Sequence, residues 1–352
     1  RNPCRSPLTS RRWSHVTHST APKQGTSHVM HVHRVPYGLL LFVSVAPHAV
    51  SAQARCPSLG ADALEYTKHP TPVLEAGRDA WEAGGVLHVA VCQVEGVFYM
   101  YYTAIAKPGY GYRSIGCATS QDGINWRKKP GPVLSRGPAG EFDDVHLHMP
   151  SVLYDDASQK FRMWYAGYQN DRGNTIGYAE SADGLTWEKK GQVLSFGAPN
   201  TFDSGSLREP TVIYDARNKL YKLWYVGTMP GQHYGPTGYA ISEDGIHWGR
   251  VTAINGDQER FIGIHVVRID ECYHGWYGTG PKIGYAHSVD GLRWEWPDPE
   301  IVIGPGDTFD SRYVQAPVVI VDQTAGKVRV WFNGAEGAEE TLSVGYAEAS
   351  LE

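Results

Sequence analysis

The 352-residue sequence has no excess of charge of either sign: 32 Lys and Arg stand against 37 Asp and Glu, a formal net charge of −5. With a pI near 6.3 it lacks the basic surface that neutralises phosphates, which argues against nucleic acid as a partner. No apolar run approaches the roughly 20 residues that a membrane-spanning helix requires. Cysteines number five, none in a Cys-x-x-Cys pair, and no His-rich ligand spacing appears, so no structural zinc site is expected. No segment carries the pattern of a helix of any length. What the chain has is turn formers and large aromatics: 40 Gly, 22 Pro, 11 Trp and 21 Tyr, with 41% hydrophobic residues. That mixture suits many short strands around a substantial core.

The first fifty residues stand apart. Residues 1–29 carry no pattern. From Met30 a weakly basic start leads into the apolar run Gly38 to Ala46, then small residues at Val50 and Ala52. This reads as a secretory signal over 30–52, cleaved after Ala52, with a membrane-anchoring or merely disordered leader as the alternative. A secreted or periplasmic protein without a transmembrane segment in its mature form is expected, joined by a linker at 53–63 to a domain over 64–352. In an oxidising compartment Cys56, Cys92, Cys117 and Cys272 permit up to two disulfides in three possible pairings, or remain buried thiols.

Internal repetition sets the architecture. Four hairpins share one form: Ser120 to Trp126, Ser181 to Trp187, Ser242 to Trp248 and Ser288 to Trp294, each with a central Asp-Gly. Their tryptophans lie 61, 61 and 46 residues apart. Asp-Gly between β-rich runs marks a tight turn, because Gly accepts a positive φ and Asp caps its own backbone. The tryptophan is expected to pack on the outer face of the next blade. Phe142-Asp143, Phe202-Asp203 and Phe309-Asp310 each precede an extended run with a proline, and Trp81-Glu82 takes the matching place. Then come Phe98 to Tyr102, Phe161 to Tyr165, Leu220 to Tyr225 and Val328 to Phe332, second strands buried on both faces. The spacing predicts an all-β, five-bladed β-propeller with four antiparallel strands per blade, at about 73–130, 131–191, 192–251, 252–297 and 298–350. The fifth blade lacks an outer strand, and Leu64 to Lys68 supplies it. Pairing the N- and C-terminal strands closes the ring and removes open edges.

The ordered motifs Gly-Tyr-Ala-x-Ser-x-Asp-Gly-x-x-Trp, Pro-Val-Leu, Phe-Asp, Pro-x-Val-x-Tyr-Asp and Met-Trp-Tyr resemble the five-bladed propellers of the arabinanase, β-xylosidase, invertase and levansucrase superfamily. The resemblance covers nearly all of 64–350. It implies a glycoside hydrolase, often acting on furanosides, whose carboxylates surround the central funnel. An oxocarbenium-like transition state needs a proton for the leaving oxygen and a negative group opposite it. The sequence departs from the family pattern in blade one, where no Asp-Pro stands on the innermost strand.

Departures from the repeat point to function. Glu209 precedes Pro210 where relatives carry an acid, whereas the equivalent positions hold Met149, Ala316 and His88. It is read as the catalytic acid, with a salt bridge to Arg208 or Arg312 as the structural alternative. Asp143, Asp144 and Asp203 are the candidates for the other carboxylates. Recurrence of Glu82, Asp143, Asp203 and Asp310 points first to turn capping, although a ring of acids at the axis could hold a structural calcium ion or sugar hydroxyls. His146 and His148 lie on one face of the innermost strand of blade two, with Ser206 and Arg208 as counterparts in blade three. His265 is placed correspondingly in blade four, and Arg312, Tyr313 and Gln315 in blade five. With His88 and Glu82 these are the candidate substrate-binding groups, or polar residues at a wet channel. Tyr110, Tyr112, His233-Tyr234 and Trp276-Tyr277 are read as aromatics in Gly-rich connections that suit sugar stacking. The reading is a secreted glycoside hydrolase for oligo- or polysaccharide. A non-catalytic carbohydrate-binding propeller and a lyase or cyclase using the histidines are the rivals.

Overall fold

The computed structural model describes Cys56, Leu59 and residues 64–351, except 108–111, 170–171, 257–260, 298–299 and 338–340. The expected leader over 30–52, the segment before it and Tyr110 lie outside the described residues. The first element is the short strand β1 (Thr67–Lys68). Blade one follows as β2 (Gly85–Val94), β3 (Val97–Ile105), β4 (Arg113–Ser120) and β5 (Arg127–Lys128). Blade two is β6 (His146–Asp155), β7 (Lys160–Gln169), β8 (Gly173–Ser181) and β9 (Glu188–Leu194). Blade three is β10 (Ser206–Asp215), β11 (Leu220–Thr228), β12 (Thr237–Ser242) and β13 (Gly249–Ala253), followed by a single 3₁₀ turn. Blade four comprises β14 (Ile262–Ile269), β15 (Cys272–Thr279), β16 (Lys282–Ser288) and β17 (Ile301–Ile303). Blade five is β18 (Tyr313–Asp322), β19 (Lys327–Glu336) and β20 (Thr341–Ser350), completed by β1.

The five four-stranded sheets and the terminal closure match the expectation, with Thr67 paired to Glu348 and Lys68 to Ala347. The fourth blade extends further than its hairpin spacing implied. Its outer strand pairs Ile303 with Ile283, beyond the boundary at 297. No helix of the described residues is long and apolar enough to cross a membrane.

The hairpin repeat joins the blades, and in the direction opposite to the one expected. Trp126, Trp187, Trp248 and Trp294 pack edge-on against Trp331, Tyr101, Trp164 and Trp224, which belong to the preceding blade. The same partner then donates across the joint to the carbonyl of the hairpin glycine: Trp331 to Gly123, Tyr101 to Gly184, Trp164 to Gly245 and Trp224 to Gly291, at 2.7–2.9 Å. At the fifth joint Trp276 donates instead to the Tyr66 hydroxyl at 2.9 Å. Glycine is required in these turns twice over. Its φ is 72–80°, and a Cβ would lie under 3 Å from the neighbouring blade's aromatic side chain. Within each turn Ser120 and its counterparts accept the glycine N–H while the Asp caps two further amides. Those bonds draw Asp183 down to about 2.

Cys56 is disulfide-bonded to Cys272 across 216 residues of sequence, tying the N-terminal segment to blade four. Cys92 and Cys117 are free thiols, and burial pushes Cys117 up to about 12. Closing so long a loop restricts the unfolded chain. Cys272→Ser is expected to cost about 2–5 kcal/mol, read as a lower thermal midpoint in non-reducing buffer; an unchanged midpoint refutes this.

Candidate functional site

Each innermost strand carries one β-bulge. The register slips between Leu87 and Val89, His148 and Ser151, Arg208 and Thr211, Ile262 and His265, and Gln315 and Val318. At each slip one residue is left-handed: His88, Met149, Glu209, Gly263 and Ala316, at φ 45, 55, 53, 59 and 48°. Four of the five are not glycine, and such a conformation costs a side-chain-bearing residue of the order of 1–3 kcal/mol. The fold supports the strain: Thr103 and Asn333 of the preceding blades accept the Met149 and His88 backbone N–H groups, both at 2.9 Å. Bulges re-aim side chains, and here they build a ring around the axis.

Two cavities meet at that ring. One, of about 520 Å³, runs along the innermost strands from the bulges to their far ends and is mainly apolar. The other, of about 640 Å³, opens on the side where those strands begin, among the connections at Met229–Pro236 and Gly280–Pro281. Glu209 is the one described residue that lines both. Among the described residues it is also the only carboxylate lining the mouth cavity, which it shares with Arg208, His233, Arg312 and Gln315. Glu209 Oε2 is shut off from solvent and has no hydrogen-bond partner. Burial raises its pKa above the ordinary carboxylate value, only partly opposed by the Arg208 charge. A buried carboxyl whose pKa is raised, beside a cavity, is better suited to hold and donate a proton.

The remaining candidates divide sharply. Arg208 donates to the His233 carbonyl and keeps a buried, unpartnered Nε. Arg312 donates to the Gly337 carbonyl at 3.2 Å and Gln315 to that of Gly280 at 2.7 Å, so both are fixed at the mouth. His88 lines the axial cavity with Nδ1 buried and unpartnered. Burial, with the charges of Arg113 and Arg208, pushes it down to about 3, so it is neutral. His148 is buried between the Arg113 guanidinium, 3.1 Å from Nδ1, and Asn174 Oδ1, 2.8 Å from Nε2. Asn174 in turn donates to Ser206 Oγ at 3.1 Å, linking three blades. His146 stacks on Tyr168 with ring centroids 4.6 Å apart and meets His148 edge-on. His265, by contrast, is a staple between blades: its Nδ1 accepts from the Val319 N–H at 3.2 Å. At the same register Ser151 Oγ accepts from the Val212 N–H at 3.0 Å, and the Thr211 hydroxyl donates to the Ile264 carbonyl at 2.7 Å.

The four recurring acids lie elsewhere. Asp143, Asp203 and Glu82 line neither cavity. Each accepts from a tyrosine of the second strand and a cation of the outer strand of its own blade. The sets are Asp143 with Tyr165 and Lys189, Asp203 with Tyr225 and Arg250, and Glu82 with Tyr102 and Lys128. Asp310 pairs with Lys68 of the closing strand at 2.7 Å. The aromatic residue before each acid stacks on the second-strand ring 5.9–6.3 Å away. Asp144 caps the Gly140 N–H at 2.8 Å. No ring of acids therefore surrounds the axis to hold a calcium ion, and among the described residues no cluster of His, Cys, Asp or Glu is placed to ligate a metal. Trp276 and Tyr277 are fully buried in β15 rather than in a loop, whereas Tyr234 is exposed at the mouth and Tyr112 stacks against Arg136.

Sequence reasoning did not single out Gly263, Arg113 or Asn174. Only the register of the bulges and the contacts between blades reveal them.

The chain is similar to known proteins. The profile of the glycosyl hydrolases family 32 N-terminal domain matches residues 89–274. The uncharacterized protein Rv1502 of Mycobacterium tuberculosis is 30% identical over 205 residues, 53% of this chain and 67% of that protein. A 1,2-beta-oligomannan phosphorylase of Thermoanaerobacter is 32% identical over 133 residues, 35% of this chain and 43% of the phosphorylase. A solved glycoside hydrolase superposes with a TM-score of 0.65 at 18% identity, covering 80% of this chain and 92% of its own, a likeness of fold.

Proposed function

We propose, from the premise that the chain belongs to the family of the glycosyl hydrolases family 32 N-terminal domain, that it cleaves glycosides with Glu209 as proton donor. The carrying observation is the buried, unpartnered Oε2 of Glu209 at the junction of the two cavities. As the glycosidic C–O bond breaks, the Glu209 proton passes to the leaving oxygen and the carboxylate remains. Positive charge then builds at the anomeric carbon. Arg208 beside Glu209 stabilises the carboxylate so formed. Arg312, Gln315 and Tyr234 at the mouth are the groups proposed to orient the sugar.

A second reading rests on Glu209 being the only carboxylate among the described residues that line the mouth. Hydrolysis uses a second protein carboxylate to activate water or attack carbon. In phosphorolysis inorganic phosphate is itself the nucleophile, and one protein acid suffices. We place the working protein outside the cytoplasm, a reading supported by the expected leader and by the Cys56–Cys272 disulfide. We propose furanosides as its preferred substrates, on the motif resemblance.

The test is release of sugar from aryl furanosides, aryl pyranosides and 1,2-linked oligosaccharides, with and without inorganic phosphate. Turnover in plain buffer supports hydrolysis, and turnover only with phosphate supports phosphorolysis. Saturable sugar binding with no turnover in either condition overturns the enzymatic reading in favour of a binding module.

A further inference from the structure

Of the five bulge residues around the axis, blade four alone contributes no side chain. The others are His88, Met149, Glu209 and Ala316. Gly263 therefore cannot be explained by its backbone: the same left-handed bulge accepts His, Met, Glu and Ala at φ 45–55°. What distinguishes its position is the neighbour. A Cβ built on Gly263 would stand 2.5 Å from Glu209 Oε2, 3.3 Å from its carboxyl carbon and 3.9 Å from its Cγ. All three nearest atoms belong to Glu209, the one described residue that lines both cavities.

We propose that Gly263 is a positioning residue for Glu209: the volume it leaves empty seats the carboxyl group and keeps it aimed at the meeting point of the two cavities. This rests on the reading of Glu209 as the acid. The obstructed atoms are the far end of a flexible side chain, so a methyl group at 263 displaces the acid rather than the blade. The turned carboxyl leaves the seat in which Oε2 is shut off from solvent, and with that loses part of the desolvation that raises its pKa. No hydrogen bond resists the displacement, because Oε2 has none.

The experiment compares Gly263→Ala with the parent protein in thermal stability, kcat, KM and the pH profile of kcat/KM. A misplacement of about 1 Å costs roughly 10²-fold in rate, so a kcat loss of that order is expected, with KM changed much less. The alkaline limb of the pH profile should move to lower pH. Shortening the acid by one methylene in Gly263→Ala/Glu209→Asp should recover part of the loss relative to Gly263→Ala. Should Gly263→Ala lower the thermal midpoint, the steric account requires Glu209→Ala to restore it in the same background; additive midpoint shifts overturn the proposal. So does a Gly263→Ala protein whose kcat lies within twofold of the parent with the alkaline limb unmoved. If Glu209→Gln itself retains full activity, the assignment of the acid has failed instead, which separates the two ideas.

Discussion

Glu209→Gln is expected to lower kcat by about 10³-fold on substrates with a poor leaving group, within the 10²–10⁴ range of a positioned proton donor. The amide preserves size and shape but has no acidic proton. The loss should shrink to roughly tenfold or less with an aryl glycoside whose phenolate leaves without protonation. That contrast assigns the role, since a residue that merely binds substrate would lose equally on both. The pH profile carries the sign. Burial raises the Glu209 pKa above its ordinary value, so the reactive acid form persists above pH 4.5 and is lost as pH rises through the folded value. Activity should therefore fall on the alkaline side, and that limb should vanish in Glu209→Gln. Equal losses on both leaving groups, or a limb that survives the substitution, would remove Glu209 from the acid role.

Much of this fold was legible because the repeat is written in residue types with strong local consequences. Asp-Gly turns, paired aromatics and alternating strands recur in order, and their count gives five blades with a terminal closure. The direction of packing was not legible. A tryptophan after a turn presents the same local pattern whether it meets the next blade or the preceding one; only the ring twist decides. The recurring acids show a related limit. Periodicity marks Asp143 and Asp203 as equivalent but says nothing about radius, and both are paired with Lys189 and Arg250 of the outer strands and line neither cavity. Glu209 was visible because it breaks the repeat by presence. Gly263 breaks it by absence, and an absence can be recognised only when the bulge register is known. In the short, irregular fourth blade that register was hidden, which is also why His265 was aligned with His148 and Arg208 rather than with Ser151 and Thr211, beside which it lines the axial cavity. The Arg113, His148 and Asn174 contacts cross blade boundaries and leave no periodic trace.

Asp203→Ala is expected to cost the fold about 3–5 kcal/mol, a drop in thermal midpoint of roughly 5–10 °C for a domain of this size. Asp203 is 1% exposed and accepts from Thr201 Oγ1 at 2.7 Å, Tyr225 Oη at 2.8 Å and Arg250 Nε at 2.8 Å. Removing it strands the Tyr225 hydroxyl and uncouples the outer strand from the start of blade three. Arg250 still binds the Ser195 carbonyl and can reach water, which keeps the cost from rising further. Asp203→Asn retains the shape and one acceptor oxygen, which can keep either the Thr201 bond or the Tyr225 and Arg250 bonds, so its loss should be smaller. The pH dependence follows from competing effects on one carboxyl. Burial alone raises its pKa, but the bonds from Thr201, Tyr225 and Arg250 outweigh it and the net shift is downward. A group held below its unfolded value of about 3.9 stabilises the fold above that pH, and the stabilisation fades as pH falls through the folded value. Asp203→Ala should therefore flatten the acid limb of the stability curve. Activity per folded molecule should stay near that of the parent in both variants. If instead Asp203→Asn abolishes turnover while its thermal midpoint stays put, this carboxylate works in the reaction and the ion-pair account of the four recurring acids falls.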